Sequence, residues 1–298
     1  MRTALATLVV VATLPYLTLK ALWLTGHAVG VLDPAFLASP GLHAANLATA
    51  GMDAVAILLA VVLASGTRRP PAWSVLLPGW VGSGFLVPIV LTTAPGLLLD
   101  GGVAGGPEPL ATWVKPLVYG GFTLQGIGLV GLFAGYAWRR WSPAPGRVAV
   151  GWARTLVRLA AVGATAFAVV QLAQAAGLVT DGGPWTASSA LVAVVKAALA
   201  VGGVIGAHEV AAGRGRRGHL VAAAVGSASM FSWGLYGTVM TAGGTVFAAS
   251  SPLSGLGALV ALLSGLVVGL AVLGALAQTA GSEGASSTSA SKQVLSPV

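Results

Sequence analysis

The sequence predicts an all-α, polytopic membrane protein with eight transmembrane helices, and three observations carry this prediction. The chain of 298 residues is 56% hydrophobic and only 7% charged, whereas charged residues make up about a quarter of an ordinary soluble domain. Apolar runs of about 20 residues, enough to cross the hydrocarbon core as a helix, recur along the whole length. Outside the spans, Lys and Arg are confined to the termini and to alternate connections, as the positive-inside rule requires. Together these features exclude a soluble globular fold.

The eight predicted spans account for nearly the whole chain and leave no room for a separate soluble domain. The first span holds Tyr16 and Lys20 and lacks a small-residue cleavage site, so it is expected to be retained rather than removed as a signal peptide. After the third span, the Gly- and Pro-rich segment 94–111 predicts a surface loop or a shallow re-entrant lid. The transmembrane domain is predicted at 1–280, with spans at about 3–25, 44–65, 73–94, 112–136, 154–177, 187–208, 220–242 and 254–278.

The distribution of charge predicts that both termini face the cytoplasm, the N-in/C-in arrangement. Connections on the same side as the termini carry the arginines, and the opposite connections carry no Lys or Arg. Those opposite connections instead hold the acids Asp33, Asp100, Glu108 and Asp181. The chain ends in a Ser-rich segment, 281–298, which is poor in apolar residues and is predicted to be a disordered cytoplasmic tail.

The positive charge predicts contact with lipids rather than with nucleic acid. The formal net charge is +8, but it follows the positive-inside pattern and is not interleaved with aromatic residues, so no nucleic-acid partner is expected. Juxtamembrane arginines attract acidic headgroups. Anionic lipids are therefore expected at the cytoplasmic face of a protein of the plasma membrane.

Two further patterns concern how the helices pack. Small-residue motifs let helices approach closely, either within one chain or in a homodimer. These motifs are Gly131-x-x-x-Gly135, Gly202-x-x-x-Gly206 and Gly265-x-x-x-Gly269. In addition, the spacing of four residues in the first span recurs in the fifth, which suggests a parallel repeat of four plus four helices. The matching residues are Tyr16, Lys20, Trp23 and Gly26 in the first half and Phe167, Gln171, Gln174 and Gly177 in the second.

Four ionisable residues lie within the predicted spans, where a charge near the bilayer centre costs about 2.5–3.5 kcal/mol. Asp53 and Lys196 each lie about nine residues from the outer end of their span, so they are expected at similar depth, and one alternative is a buried structural pair between them. Lys20 is shallower, and Lys115 lies close to the outer interface. These two lysines could instead extend their ammonium groups to the headgroups, which requires no function.

The use of Lys within the spans favours a functional role. Elsewhere the chain uses Arg for its positive charge, with Lys292 as the exception. Lys can lose its proton when it is desolvated, whereas Arg cannot. Helical spacing surrounds these lysines and Asp53 with polar and aromatic neighbours, which predicts an outward-opening polar cavity that binds a ligand. The predicted ligand-binding residues are Tyr16, Lys20, Trp23, Asn46, Asp53, Gln171, Gln174, Lys196, Trp233 and Tyr236.

The segment PYLTLKALWLTG (Pro15–Gly26), followed by Gly30, resembles a Y-x-x-L-K-x-x-W-x-x-G pattern in uncharacterised actinobacterial multi-pass membrane proteins. The similar segment covers about fifteen residues of the chain. The resemblance implies that Tyr16, Lys20 and Trp23 act as a unit, and it implies no particular substrate.

Three classes of function remain open from the sequence alone. A polar cavity predicts a transporter or permease that binds an anionic or carboxylate-bearing solute from the outer side, with Asp53 as a proton-coupled counter-charge. The alternative is a non-catalytic accessory protein, sensor or scaffold whose buried charges are structural. A membrane-embedded enzyme is least favoured, because the chain has no Cys, no catalytic or nucleotide-binding signature and no second acid near Asp53. His27 and His43 lack further ligands, so neither a metal nor another cofactor is expected.

Overall fold

The computed structural model describes residues 1–66, 70–99, 109–141, 149–179, 184–244 and 251–293, with Trp141 and 279–293 described by their backbone alone. Within these ranges all regular secondary structure is helical. Eight of the helices are long and apolar enough to cross a membrane, which confirms the predicted fold class. In chain order they are α1 (Arg2–Leu24), the short α2 (Pro34–Leu37), α3 (Pro40–Ser65), α4 (Ala72–Leu99), α5 (Val114–Trp141), α6 (Gly151–Ala175), α7 (Ala187–Ala211), α8 (Arg217–Ala242) and α9 (Pro252–Gln293).

The third membrane helix, α4, contains three prolines and is nevertheless continuous. Pro78, Pro88 and Pro95 lie inside it, and it runs to Leu99, further than the expected span end at 94. Membrane helices tolerate proline because neighbouring helices and local adjustments satisfy the carbonyl groups that proline leaves without a donor. The loop predicted over 94–111 therefore begins later, and its central part, 100–108, lies outside the described residues.

The last helix, α9, continues past its membrane segment. The stretch apolar enough to cross a membrane ends at Gln278, whereas the backbone is helical as far as Gln293, where the sequence predicts a disordered tail. A helix that is already nucleated extends one residue at a time without a second nucleation cost, and the tail has no proline before Pro297. Because no side chain beyond Gln278 is described, the domain boundary at 280 stays a prediction.

The membrane helices form two groups with separate hydrophobic cores. The N-terminal half consists of α1, α3, α4 and α5 and buries residues such as Val9 and Leu63. The C-terminal half consists of α6 to α9 and buries residues such as Val157 and Val268. Each half contains four consecutive membrane helices, the number that the repeat requires, but the repeat itself stays a prediction.

Helix α4 joins the two halves by packing against α7 and α8. A Cβ atom on Gly84 would lie 2.1 Å from the carbonyl oxygen of Ala228, so this close approach depends on glycine. A polar contact accompanies it, because the indole N–H of Trp80 donates a hydrogen bond to the Ala224 carbonyl at 3.1 Å. The junction therefore combines close backbone packing with a hydrogen bond between the halves.

Parts of the Gly-x-x-x-Gly motifs are used for packing within the chain. A Cβ atom on Gly265 would lie 2.4 Å from the backbone nitrogen of Phe231, and Gly206 approaches α8 in the same way. Gly269 lies against the ring of Trp80, whereas a side chain at Gly202 would meet nothing within 4 Å. A homodimer through such faces stays a prediction.

The described arginines gather at one end of the bundle, called here the arginine end. The guanidinium group of Arg140 on α5 donates a hydrogen bond to the Pro70 carbonyl, just before α4, at 2.7 Å. That of Arg217 on α8 lies 5.3 Å from the ring centroid of Trp138 on α5. The arginine end comprises Arg2, Arg139, Arg140, Arg154, Arg158, Arg214, Arg216 and Arg217. This clustering agrees with the N-in/C-in orientation, which stays a prediction because it refers to the membrane.

Candidate functional site

A buried ion pair joins α1 to α3 in the N-terminal half. Lys20 Nζ lies 2.7 Å from Asp53 Oδ2, and the two residues are 0% and 4% exposed. The amide group of Gln125 on α5 donates a hydrogen bond to the other carboxylate oxygen, Asp53 Oδ1, at 3.4 Å. The Lys20 ammonium group also lies 3.9 Å from the centroid of the Tyr16 ring, within the range of a cation–π contact. Three helices therefore supply the partners of one ammonium group and one carboxylate.

The directions of the two helices explain why Lys20 reaches Asp53. The Cα–Cβ bonds of a helix tilt toward its N terminus. Helix α1 begins at the arginine end, whereas α3 ends there, with its last residues beside Arg2. The side chain of Lys20 therefore points into the bundle, over Tyr16, and that of Asp53 leans toward it. For this reason Lys20 does not extend outward to the headgroups, which was one of its two predicted arrangements.

Asp53 pairs with Lys20 rather than with Lys196. The two carboxylate oxygens of Asp53 contact Lys20 and Gln125. Similar depth in a bundle does not bring residues together unless their helices are neighbours. Helix α3 packs against α1 and α5, whereas Lys196 belongs to α7 in the other half.

A small hydrophobic cap covers the ion pair at the end of the bundle opposite to the arginine end. Trp23 and Val114, which are 7% and 1% exposed, pack with Val31 and Leu110 from the two connecting segments. The indole N–H of Trp23 donates a hydrogen bond to the Val29 carbonyl at 2.8 Å, and Val31 and Leu110 form an isolated antiparallel bridge. Among the described residues the ion pair is therefore enclosed, with Lys20 0% and Asp53 4% exposed.

A second cationic environment lies at the junction between the halves. Lys196 on α7 is half-buried, and its Nζ lies 4.3 Å from the ring centroid of Trp233 on α8. The Trp233 ring also packs against Tyr236 of α8 and Phe85 of α4, at centroid distances of 5.9 and 5.8 Å. The Trp233 indole N–H and the Thr238 hydroxyl are buried and have no hydrogen-bond partner among the described residues. Residues of α4, α7 and α8 thus place a cation beside aromatic rings and near one indole N–H that has no partner among the described residues.

Tyrosine side chains lie at both of these environments. Tyr16 packs edge-on against Phe122 at a centroid distance of 5.2 Å, and Phe122 packs against Tyr119 at 6.4 Å. Tyr16 also lies within electrostatic range of Asp53 and of Tyr236. Tyr236 in turn contacts Trp233. Aromatic residues therefore lie beside both environments, and the relation described between the two groups is the electrostatic range that joins Tyr16 to Tyr236.

No described contact joins the other predicted ligand-binding residues to either lysine environment. Asn46 is buried on α3, two helical turns from Asp53, and Gln171 and Gln174 are half-buried near the end of α6. Their role in ligand binding stays a prediction. Lys115 is half-buried at the second position of α5.

Sequence reasoning missed three residues that the structure places at the site. Gln125 is an amide near the middle of a membrane helix, and this signal could have identified it. Phe85 and Phe122 carry no such signal, because a phenylalanine in a membrane span is equally consistent with contact to lipid. Only packing against Trp233 and Tyr16 distinguishes them.

Two grooves lie near the arginine end, away from both lysine environments. One, of about 420 Å³, runs between α1 and α3. The other, of about 210 Å³, lies between α6 and α7 and is lined by Arg158, His208 and Glu209 among others. Neither groove includes a residue of the predicted ligand-binding set.

Within the described ranges, no three His, Asp or Glu side chains come together as metal ligands would. No protein-family model, no curated protein and no solved structure matches the chain. Eight apolar helices identify an integral membrane protein that crosses its membrane several times. What this protein does must therefore follow from the geometry of its two lysine environments.

Proposed function

We propose that this membrane protein is a transporter or permease that binds a small anionic or carboxylate-bearing solute beside Lys196. The observation that carries the proposal is the indole N–H of Trp233, which is buried and has no acceptor among the described residues. The ring that carries this N–H packs against the Lys196 ammonium group. A buried donor without a partner costs about 1–3 kcal/mol. A bound carboxylate would accept hydrogen bonds from both groups and remove that cost.

The surroundings of Lys196 suit a small solute with one charged end. Phe85 and Tyr236 supply aromatic walls around Trp233. The site lies at the junction of the two halves. Movement of one helical bundle against another around a site between them is the usual way in which transporters expose that site to each side in turn.

The Lys20–Asp53 pair is proposed to couple transport to a proton rather than to hold the solute. The carboxylate and the ammonium group neutralise one another at 2.7 Å, so a solute would have to displace Asp53 to reach Lys20. Protonation of Asp53 would break this pair and leave Lys20 without its counter-ion. The cap includes two connecting segments, which contribute Val31 and Leu110, and connecting segments are the parts of a helical bundle that move most easily.

The proposal is tested by uptake of small radiolabelled carboxylates into proteoliposomes. We expect uptake above that of protein-free vesicles for at least one of them. Lys196→Met should abolish this uptake, and Trp233→Phe, which keeps an aromatic ring and removes the N–H donor, should reduce it about tenfold. Lys115→Met is the matched control, because Lys115 is also a half-buried intramembrane lysine but lies at the start of α5.

Three results would contradict this function. Equal uptake by wild-type and Lys196→Met protein would exclude an anion site at that lysine. Equal loss with Lys115→Met would show that the effect is a general one of removing charge. Failure of every anion tested, with correctly folded and oriented protein, would favour the alternative function.

The alternative is a non-catalytic accessory, sensor or scaffold protein of the membrane. The observation that favours it is the complete burial of Lys20 with Asp53, which needs no ligand to explain it. Such a role predicts that a partner protein co-purifies from native membranes in a fixed ratio and that no solute is taken up. An enzymatic role has less support, since Asp53 is the only buried acid among the described residues.

A further inference from the structure

The groove between α1 and α3 is open to the surroundings of the bundle at the level where the arginines gather. It has a volume of about 420 Å³. Val11 and Val61 on its walls are 60% and 52% exposed, so in a membrane this groove faces lipid rather than protein. The residues that line it include Thr3, Thr7 and Val11 on α1 and Val61, Ala64 and Ser65 on α3.

The chemistry of the groove changes along its length. Toward the middle of the bundle its walls are valines, which suit a hydrocarbon chain. Toward the arginine end they carry the hydroxyl groups of Thr3 and Ser65. This gradient from apolar to polar matches the passage from acyl chain to headgroup in a phospholipid.

A positive charge lies at the polar mouth of the groove. Arg2 precedes Thr3, and its guanidinium group lies against Gly66, the residue after Ser65. Gly66 has a φ of 66° and ends α3 in the left-handed conformation that glycine adopts most easily. The chain then continues with Arg68 and Arg69, which lie outside the described residues.

We propose that this groove binds one anionic phospholipid, with an acyl chain between α1 and α3 and the phosphate at the Arg2 guanidinium. A guanidinium group presents paired N–H donors that suit phosphate oxygens. The lipid belongs to the leaflet on the side of the arginine end. The polar mouth of the groove lies at that end, where the headgroup would be, and the apolar walls lie nearer the middle of the bundle, where the acyl chain would be. The site is separate from the proposed solute site and does not depend on transport.

The test is native mass spectrometry of the full-length chain in detergent, titrated with dioleoyl phosphatidylglycerol or dioleoyl phosphatidylcholine. We expect a complex with one lipid that favours phosphatidylglycerol. Arg2→Gln should weaken it about fivefold, the usual contribution of one basic residue at a membrane surface. Arg154→Gln is the matched control, because Arg154 also lies at the arginine end but belongs to α6 in the other half.

A second pair of variants tests the apolar part of the groove. Thr7→Phe should fill it and reduce binding of phosphatidylglycerol, whereas Ala21→Phe, at an exposed position of the same helix outside the groove, should not. Both replaced residues are exposed, so folding is expected to be retained and is checked by the thermal unfolding midpoint.

Several results would overturn the site. Equal weakening by Arg154→Gln would show that only the total charge matters. If Arg2→Gln weakens the binding of phosphatidylglycerol and Thr7→Phe does not, Arg2 attracts the headgroup but no acyl chain lies in the groove. Competition by glycerol phosphate at the same concentration as the lipid would show that the phosphate alone is bound.

Discussion

The two halves of this protein surround Lys20 and Lys196 in different ways. In the N-terminal half, Lys20 is 0% exposed and has Asp53, supported by Gln125, as its counter-ion. In the C-terminal half, Lys196 is half-buried beside an indole ring whose N–H donor has no described acceptor. In the first arrangement the buried charge has a counter-ion, whereas in the second the indole N–H beside the lysine has no described acceptor. The polar groups beside each lysine therefore distinguish two arrangements that a lysine within a membrane span can adopt.

The largest effect is expected from removing the carboxylate of the N-terminal half. Asp53→Asn leaves the Lys20 ammonium group buried without its counter-ion, and breaking a buried pair in this way costs about 3–5 kcal/mol. Lys20→Met should cost a similar amount. The Lys20→Met/Asp53→Asn double variant should recover part of the loss, because the single costs arise from one interaction. The measurement is the thermal unfolding midpoint in detergent for all four proteins of the cycle.

The same cycle with Lys196 provides the control. Asp53→Asn and Lys196→Met should have additive effects, because Asp53 bonds to Lys20 and Gln125. Strong coupling between Asp53 and Lys196 would contradict the separation of the two environments. Additive effects of Asp53→Asn and Lys20→Met would contradict the ion pair itself.

A smaller effect is expected at the junction of the halves. Gly84→Ala places a Cβ atom 2.1 Å from the Ala228 carbonyl oxygen, so α4 must move away from α8, at a cost of about 1–3 kcal/mol. Gly120→Ala is the control, because a side chain there would meet nothing within 4 Å. It should be neutral or slightly stabilising, since alanine favours a helix over glycine. Equal midpoints for the two variants would show that the halves are not in close contact.

The smallest effect on stability is expected in the C-terminal half. Lys196→Met removes a half-buried cation–π contact with Trp233, which contributes about 0.5–1 kcal/mol in exposed settings and more when desolvated. The unfolding midpoint should therefore fall much less than with Lys20→Met. A fall as large as that of Lys20→Met would contradict the difference between the halves and would assign Lys196 a structural role.

Much of the architecture follows from the sequence because the bilayer constrains it so strongly. Only helices of about 20 apolar residues satisfy their backbone hydrogen bonds in hydrocarbon, so the existence of eight spans could be predicted from apolar runs alone. Helix ends are less certain. α4 extends to Leu99 because its three prolines are tolerated inside a membrane helix, and the helical backbone of α9 as far as Gln293 has no counterpart in the apolar pattern.

The candidate site could be predicted in part, through its unusual residues. A buried charge is costly in a membrane, so Lys20, Asp53 and Lys196 were identifiable as residues that require partners. Their partners were not identifiable, because helical spacing gives the face of a residue on its own helix and not the helix that this face meets. Phe85 and Phe122 could not be predicted as site residues, since an apolar residue in a span can contact lipid or protein equally well.

By itself, the sequence determined the membrane class, the number of spans and the residues that must be satisfied within them, because these depend on composition and local periodicity. Only the tertiary structure decided that Lys20 is the partner of Asp53, that a cap closes over them, and that Lys196 lies against Trp233. The physical reason is that these contacts join different helices. Their formation depends on which helices are neighbours and on where small residues such as Gly84 allow backbones to approach.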